Sequence, residues 1–159
     1  MKGEIYLSDN YKLILGANLK ILMSLHSVSQ QVLSEKLATT RTVIARIQAG
    51  EVGISLNTFL KIAEYFRISP PILLERSSYE DLKNAPEFFE YDVLGVFLKN
   101  VLNSLHLHQY PRIYLQSQGV SSGTLNRLFN RKNNPNLATL VQISQAIAID
   151  LPTLLKRGE

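Results

Sequence analysis

The chain has 159 residues, 45% hydrophobic and 19% charged, a balance that excludes an intrinsically disordered protein. It holds no cysteine, so a disulfide framework and a thiolate metal site are both excluded. The formal net charge of +4 is unevenly spread: residues 1–76 hold nine Lys/Arg against six Asp/Glu, residues 77–93 one against five, and residues 94–159 seven against two. Two basic blocks around an acidic segment suit a polyanionic partner. No apolar run approaches the length of a membrane span, and Met1-Lys2-Gly3-Glu4 is not followed by an apolar signal segment. A cytoplasmic location and no membrane partner are expected.

The first helix is expected over Tyr11–Leu25, with Leu15, Leu19, Leu22 and Met23 on one face. Residues 29–50 then have the spacing of two short helices meeting at a tight turn. Ser29 can cap the first, to which Val32, Leu33 and Leu37 give an apolar stripe. Ala38 stands in the turn, where a residue of positive φ is easiest for glycine. Thr40 can cap the second helix. Val43, Ile44 and Ile47 are its inward candidates, and Gly50 ends it. Its outward face carries Arg41, Thr42 and Arg46, side chains able to hydrogen-bond base edges in a major groove. A fourth helix starts after Ser55 and buries Leu56, Phe59, Ile62, Ala63 and Phe66. A short fifth starts at Ser69-Pro70-Pro71.

Residues 77–92 read as an acidic linker enriched in aromatics: Tyr79, Phe88, Phe89 and Tyr91. These either pack on a neighbouring domain or form a partner or dimerisation patch.

The chain also repeats itself. Gly16, Leu19 and Lys20 recur 79 positions on as Gly95, Leu98 and Lys99. Later the offset is 81: Arg46 recurs as Arg127, Ile62 as Ile143, Pro71 as Pro152 and Leu73-Leu74 as Leu154-Leu155. The change of offset predicts a two-residue insertion before the third helix of the second copy. In that copy Asp92 caps a helix with Leu94, Phe97, Leu98, Val101, Leu102 and Leu105 inward, and Pro111 opens the next. Ile113, Tyr114 or Leu115 supplies the latter's core contact. Ser121 caps a third helix (Leu125, Leu128), Asn136 a fourth (Leu137, Leu140, Ile143, Ile147) and Asp150 a fifth. No segment of useful length alternates with period two, so the fold is expected to be all-α. Two units are expected at 1–76 and 93–159.

Ser29-Gln30, Leu33, Thr40-Arg41, Ile44, Arg46-Ile47 and Gly50 follow the pattern of the helix-turn-helix of the Cro and phage-repressor (XRE-type) family, which this stretch resembles. Ser34, Ala38 and Gln48 depart from it, standing where the family has Ala, Gly and Glu. The resemblance implies two tandem five-helix lambda-repressor-like DNA-binding domains. It further implies a sequence-specific transcriptional regulator that acts by occupying an operator, with double-stranded DNA as partner and the chain a homodimer. The family reads DNA with the first half of the third helix, which makes Arg41, Thr42 and Arg46 the base readers. Val43 is then placed against a thymine methyl, and Gln30 and Thr40 at phosphates. In the second copy the matching positions are Ser121, Ser122, Asn126 and Arg127, with Gly123 in place of Thr42. A basic loop of Arg131, Lys132, Asn133 and Asn134 follows.

The rival class is an antitoxin-like or anti-repressor module of the same fold, with a protein partner at the C-terminal domain or the linker. No phosphate-cradling glycine loop, nucleophile motif or paired carboxylate is present, so neither an enzyme nor a cofactor is expected. His26, His106 and His108 have no metal-ligand spacing.

Overall fold

Short polar side chains open the helices. Ser29 accepts from the Val32 N–H, Thr40 from Val43, Ser55 from Thr58, Ser121 from Thr124 and Asn136 from Ala138, each satisfying a donor that the first turn cannot. The computed structural model describes residues 10–131 and 134–158. Its helices are α1 (Asn10–Leu25), α2 (Gln30–Lys36), α3 (Arg41–Gln48), α4 (Leu56–Phe66), α5 (Pro70–Leu73), α6 (Tyr79–Lys83), α7 (Val93–Leu107), α8 (Tyr114–Ser117), α9 (Ser122–Phe129), α10 (Leu137–Ala146) and α11 (Leu151–Leu155). Among the described residues the one extended pairing is an isolated antiparallel bridge between Ser55 and Asn136.

The acidic segment is more structured than its composition suggested. It contains α6, opened by a capping box in which Ser78 and Asp81 satisfy each other's backbone N–H. Leu82 and Phe88 are buried, with Arg67 over the Phe88 ring, while Tyr79 and Phe89 stay exposed. The packing alternative therefore holds for Leu82, Phe88 and Tyr91, whose hydroxyl donates to the Leu155 carbonyl.

Most expected core residues are buried, Leu94 and Ile147 are half-buried, and three are exposed. Val32, Val43 and Leu102 are exposed, because each lies a step round its helix from the stripe set by Leu33, Ile44 and Val101. Pro111 does not open α8, which starts at Tyr114 after a turn. Leu115 alone there is fully buried.

Hydrogen bonds correct the register of the repeat. The Asn18 amide donates to the carbonyls of Leu73 (2.8 Å) and Glu75 (2.9 Å), tying α1 to the end of α5. The Asn100 amide does the same for Leu154 (2.9 Å) and Lys156 (3.0 Å). Asn18 and Asn100 are 82 positions apart, and so are the turn bonds Val28 N–H to Met23 and Tyr110 N–H to Leu105. From Thr39 N–H to Ser34, and Val120 N–H to Leu115, the offset is 81. The second half thus has one residue fewer between Tyr110 and Leu115, not two more. The Gly16–Gly95 match is accidental. A Cβ at Gly16 would stand 2.5 Å from the Ile47 carbonyl oxygen on α3, whereas one at Gly95 would meet only its own cap, Asp92. Left-handed residues keep the offset of 81: Ala38 and Gly119, Gly50 and Arg131, Arg67 and Ala148.

The segments with this offset also pair with each other. Leu56 N–H donates to Pro135 O (2.8 Å) and Leu137 N–H to Ile54 O (2.9 Å), flanking the bridge. α5 packs on α11, and Lys156 reaches Glu75 at 3.3 Å. Ser55 and Glu75 each meet their own counterparts, Asn136 and Lys156, and the two flanking bonds exchange into each other under the same offset. That is the reciprocity of an approximate two-fold axis, realised inside one chain. A single buried cluster runs through both halves.

Candidate nucleic-acid interface

The site grows from the turn between α2 and α3. Leu33, Leu37, Ile44 and Ile47 are buried and lock the two helices together. Ala38 takes φ 55° to turn the chain between them, a conformation that costs an L-residue about 1–2 kcal/mol. Thr40 then caps α3. With Ile44 and Ile47 turned in, Arg41, Thr42, Val43 and Arg46 all lie exposed on the outer side, and α3 contains no acidic residue. The exposure that removed Val43 from the core leaves its methyls available to a thymine. Gln30 is less free than its expected phosphate role needs. Its amide donates to the Gln48 Oε1 at 2.6 Å, and Gln48 in turn reaches the Met23 sulfur. This bridge fixes the start of α2 against the end of α3.

The second half builds the corresponding surface from different material. Ser121 caps α9, and Ser122, Gly123, Asn126 and Arg127 are exposed. A Cβ at Gly123 would have the Arg127 guanidinium as its nearest neighbour, at 3.6 Å, so Arg127 lies back over the first turn. Arg131 is turned away onto the α7 cap, with its Nη2 2.5 Å from Asp92 Oδ1. That bond, with the Gly95 N–H behind it, holds the Asp92 carboxyl below its ordinary value and raises Arg131. Lys132 and Asn133 lie outside the described residues. Asn134 accepts from the Asn57 N–H across the two-fold seam.

Sequence reasoning missed Arg112, whose guanidinium stacks 3.7 Å from the centre of the Phe129 ring. Arg112 also lines a small cleft with Ile113, Gln116 and Asn126 beside the outer face of α9. The signal was the pairing of a basic residue before helix 2 with an aromatic at the end of helix 3, legible only once both helices were placed. Around it Leu107, Tyr110 and Ile113 are exposed at 80%, 46% and 63%. Among the described residues no group of three acidic or histidine side chains could hold a metal ion, and no helix is long and apolar enough to cross a membrane.

Residues 18–77 match the Cro/C1-type HTH DNA-binding domain. The matched span begins within α1 and takes in α2, the Ala38 turn, α3, α4 and α5. No curated protein and no solved structure matches the chain. DNA is therefore the partner class of the Cro/C1-type stretch, and its exposed α3 face carries Arg41, Thr42 and Arg46, side chains able to hydrogen-bond base edges.

Proposed function

We propose that this chain is a sequence-specific DNA-binding transcriptional regulator that carries two tandem Cro/C1-like units and acts by occupying its operator. The observation that carries the reading is the outer face of α3: two arginines and a threonine, exposed on a helix whose cap and two buried isoleucines fix its orientation. α3 lies in the major groove. Arg41, Thr42 and Arg46 reach base edges, Val43 meets a thymine methyl, and Thr40 stands at a phosphate. α9 enters a second half-site with Ser122, Asn126 and Arg127, while Ser121 and the basic loop around Lys132 grip phosphates.

The reciprocal contacts support this arrangement. Gln48 and Phe129, the last residues of α3 and α9, each stand seven positions before the bridge pair Ser55 and Asn136. Seven residues span at most about 23 Å at roughly 3.3 Å each. The ends of the two helices thus lie within about 50 Å of one another, which admits half-sites one helical turn, about 34 Å, apart. One chain can supply the pair of units that a homodimer would otherwise supply, and a homodimer of such chains would present two pairs.

The test is selection of bound duplexes from a random pool at stated salt, with the intact chain and with Arg41→Ala and Arg46→Ala. The reading expects a motif with one strongly and one weakly specified half. It fails if both variants select the wild-type motif with unchanged affinity.

A second reading has one specific observation in its favour. Leu107 and Tyr110 are exposed where their counterparts Leu25 and Val28 are half-buried, and Ile113 is exposed after them. An antitoxin-like or anti-repressor module would use that apolar surface for a protein partner, and its second half would then contribute nothing to the selected motif.

A further inference from the structure

Two grooves flank the seam between the halves, and the offset of 81 maps one onto the other. The first, of about 330 Å³, is lined by Ile14, Leu74, Arg76, Val141, Leu151 and Pro152 among others. The second has Pro71 and Arg157, the counterparts of Pro152 and Arg76, together with Pro86, Phe89 and Tyr91 from the segment before α7. They are the two sides of the approximate two-fold axis, and one of them already holds a piece of this chain.

Tyr91 shows what such a groove accepts. Arg157 lies over its ring, 5.1 Å from the centroid. Its hydroxyl donates to the Leu155 carbonyl at 2.5 Å. Burial pushes that hydroxyl above its ordinary value, against the pull of Arg157, so it remains a donor at neutral pH. The carbonyls on either side, of Leu154 and Lys156, are taken by Asn100. The first groove repeats these groups. Asn18 takes the carbonyls of Leu73 and Glu75, and between them stands the carbonyl of Leu74, a residue only 4% exposed. Among the described residues no group donates to it. Arg76 lines the same groove from an exposed position.

We propose that the groove between α1 and the α10–α11 end of the second half binds an uncharged phenolic ring, whose hydroxyl donates to the Leu74 carbonyl while Arg76 covers its face. Ile14, Val141, Leu151 and Pro152 supply the apolar walls, a composition ordinary for small-molecule sites. Glu75 and Asp150 also line the groove, so a ring bearing a carboxylate is disfavoured. The ring is that of a free phenol. Because the ligand would touch both halves at once, its binding favours their packed arrangement.

The experiment is an NMR titration of the intact chain with phenol, and with toluene as a ring of the same size lacking the donor. Wild type and Arg76→Ala are compared. Arg76 is exposed, so its removal leaves the core untouched. Saturable shifts at the amides of Leu74, Glu75, Arg76, Val141 and Leu151 are expected. Toluene should bind several-fold more weakly, and Arg76→Ala should weaken phenol by about two- to five-fold. Saturable binding to wild type with that ranking supports the proposal. No saturable shift at these amides in wild type, or toluene equal to phenol, overturns the proposal.

Discussion

The two halves differ most where α2 and α8 stand. In the first, Ser29 caps a seven-residue helix and an alanine is forced into the left-handed turn at Ala38. In the second, one residue is missing, the helix has shrunk to four residues, and the matching left-handed position is Gly119. The half with the strained turn keeps the arginine-bearing outer face. The half with the relaxed turn has exchanged Arg41 and Thr42 for Ser122 and Gly123 and exposed apolar side chains beside them. What both halves keep is the set of buried leucines and isoleucines and the asparagine clamp, because these hold the helices together whatever the surface does.

The clamp gives the largest expected effect. Asn18 is 1% exposed, and Asn18→Ala leaves buried carbonyls at the end of α5 without a donor, at a cost of about 2–3 kcal/mol. Asn100 is half-buried, so Asn100→Ala should cost less. Urea denaturation of both variants checks the order, and equal losses would mean that the two clamps are equally sealed from water.

Next comes readout. Arg46→Ala should weaken binding to the selected duplex by about 1–3 kcal/mol and relax one base position, while Arg127→Ala should cost under about 1 kcal/mol. Fluorescence anisotropy at fixed salt separates them, and the reverse order would make α9 the principal reader. The turns sharpen the comparison further. Ala38→Gly should stabilise the chain by about 0.5–1 kcal/mol, because relief of the left-handed alanine outweighs the extra entropy of the unfolded glycine, and Gly119→Ala should do the opposite. Thermal melts showing the same sign for both would contradict the equivalence of the two positions.

The smallest effect concerns Asp92. Its folded pKa is lowered, so the stability it contributes is present above the ordinary carboxylate value of 3.8 and is lost as pH falls below it. Arg131→Ala should diminish that acid-limb loss in a melt series and leave the part that the Gly95 N–H supplies, and an unchanged acid limb would contradict the assignment.

Much of this was legible in the chain. Caps at Ser29, Thr40, Ser55, Ser121 and Asn136 have local signatures, and the apolar stripes of α1, α4 and α10 repeat at helical spacing over two or more turns. Short helices were less legible. Over seven or eight residues a stripe has too few members to exclude a neighbour, so Val32 and Val43 read as inward. α6 was hidden by its acidic composition, although Ser78 and Asp81 carry the capping signature. The register of α7 against α1 was misread because glycine and lysine identities outweighed the buried Asn18 and Asn100, whose role depends on carbonyls more than fifty residues away. On α3, the outward placement of Arg41, Thr42 and Arg46 was legible. The diversion of Arg131 onto Asp92 and the stacking of Arg112 on Phe129 were not, since both join residues that only the tertiary fold brings together.

The most direct test of the internal pairing is the mass of the chain on its selected duplex, by light scattering, combined with methylation interference. The account predicts that each chain protects two half-sites about one helical turn apart, one contacted closely through α3 and the other weakly through α9. A single half-site per chain, touched by α3 alone and doubled only when a second chain joins, would contradict it.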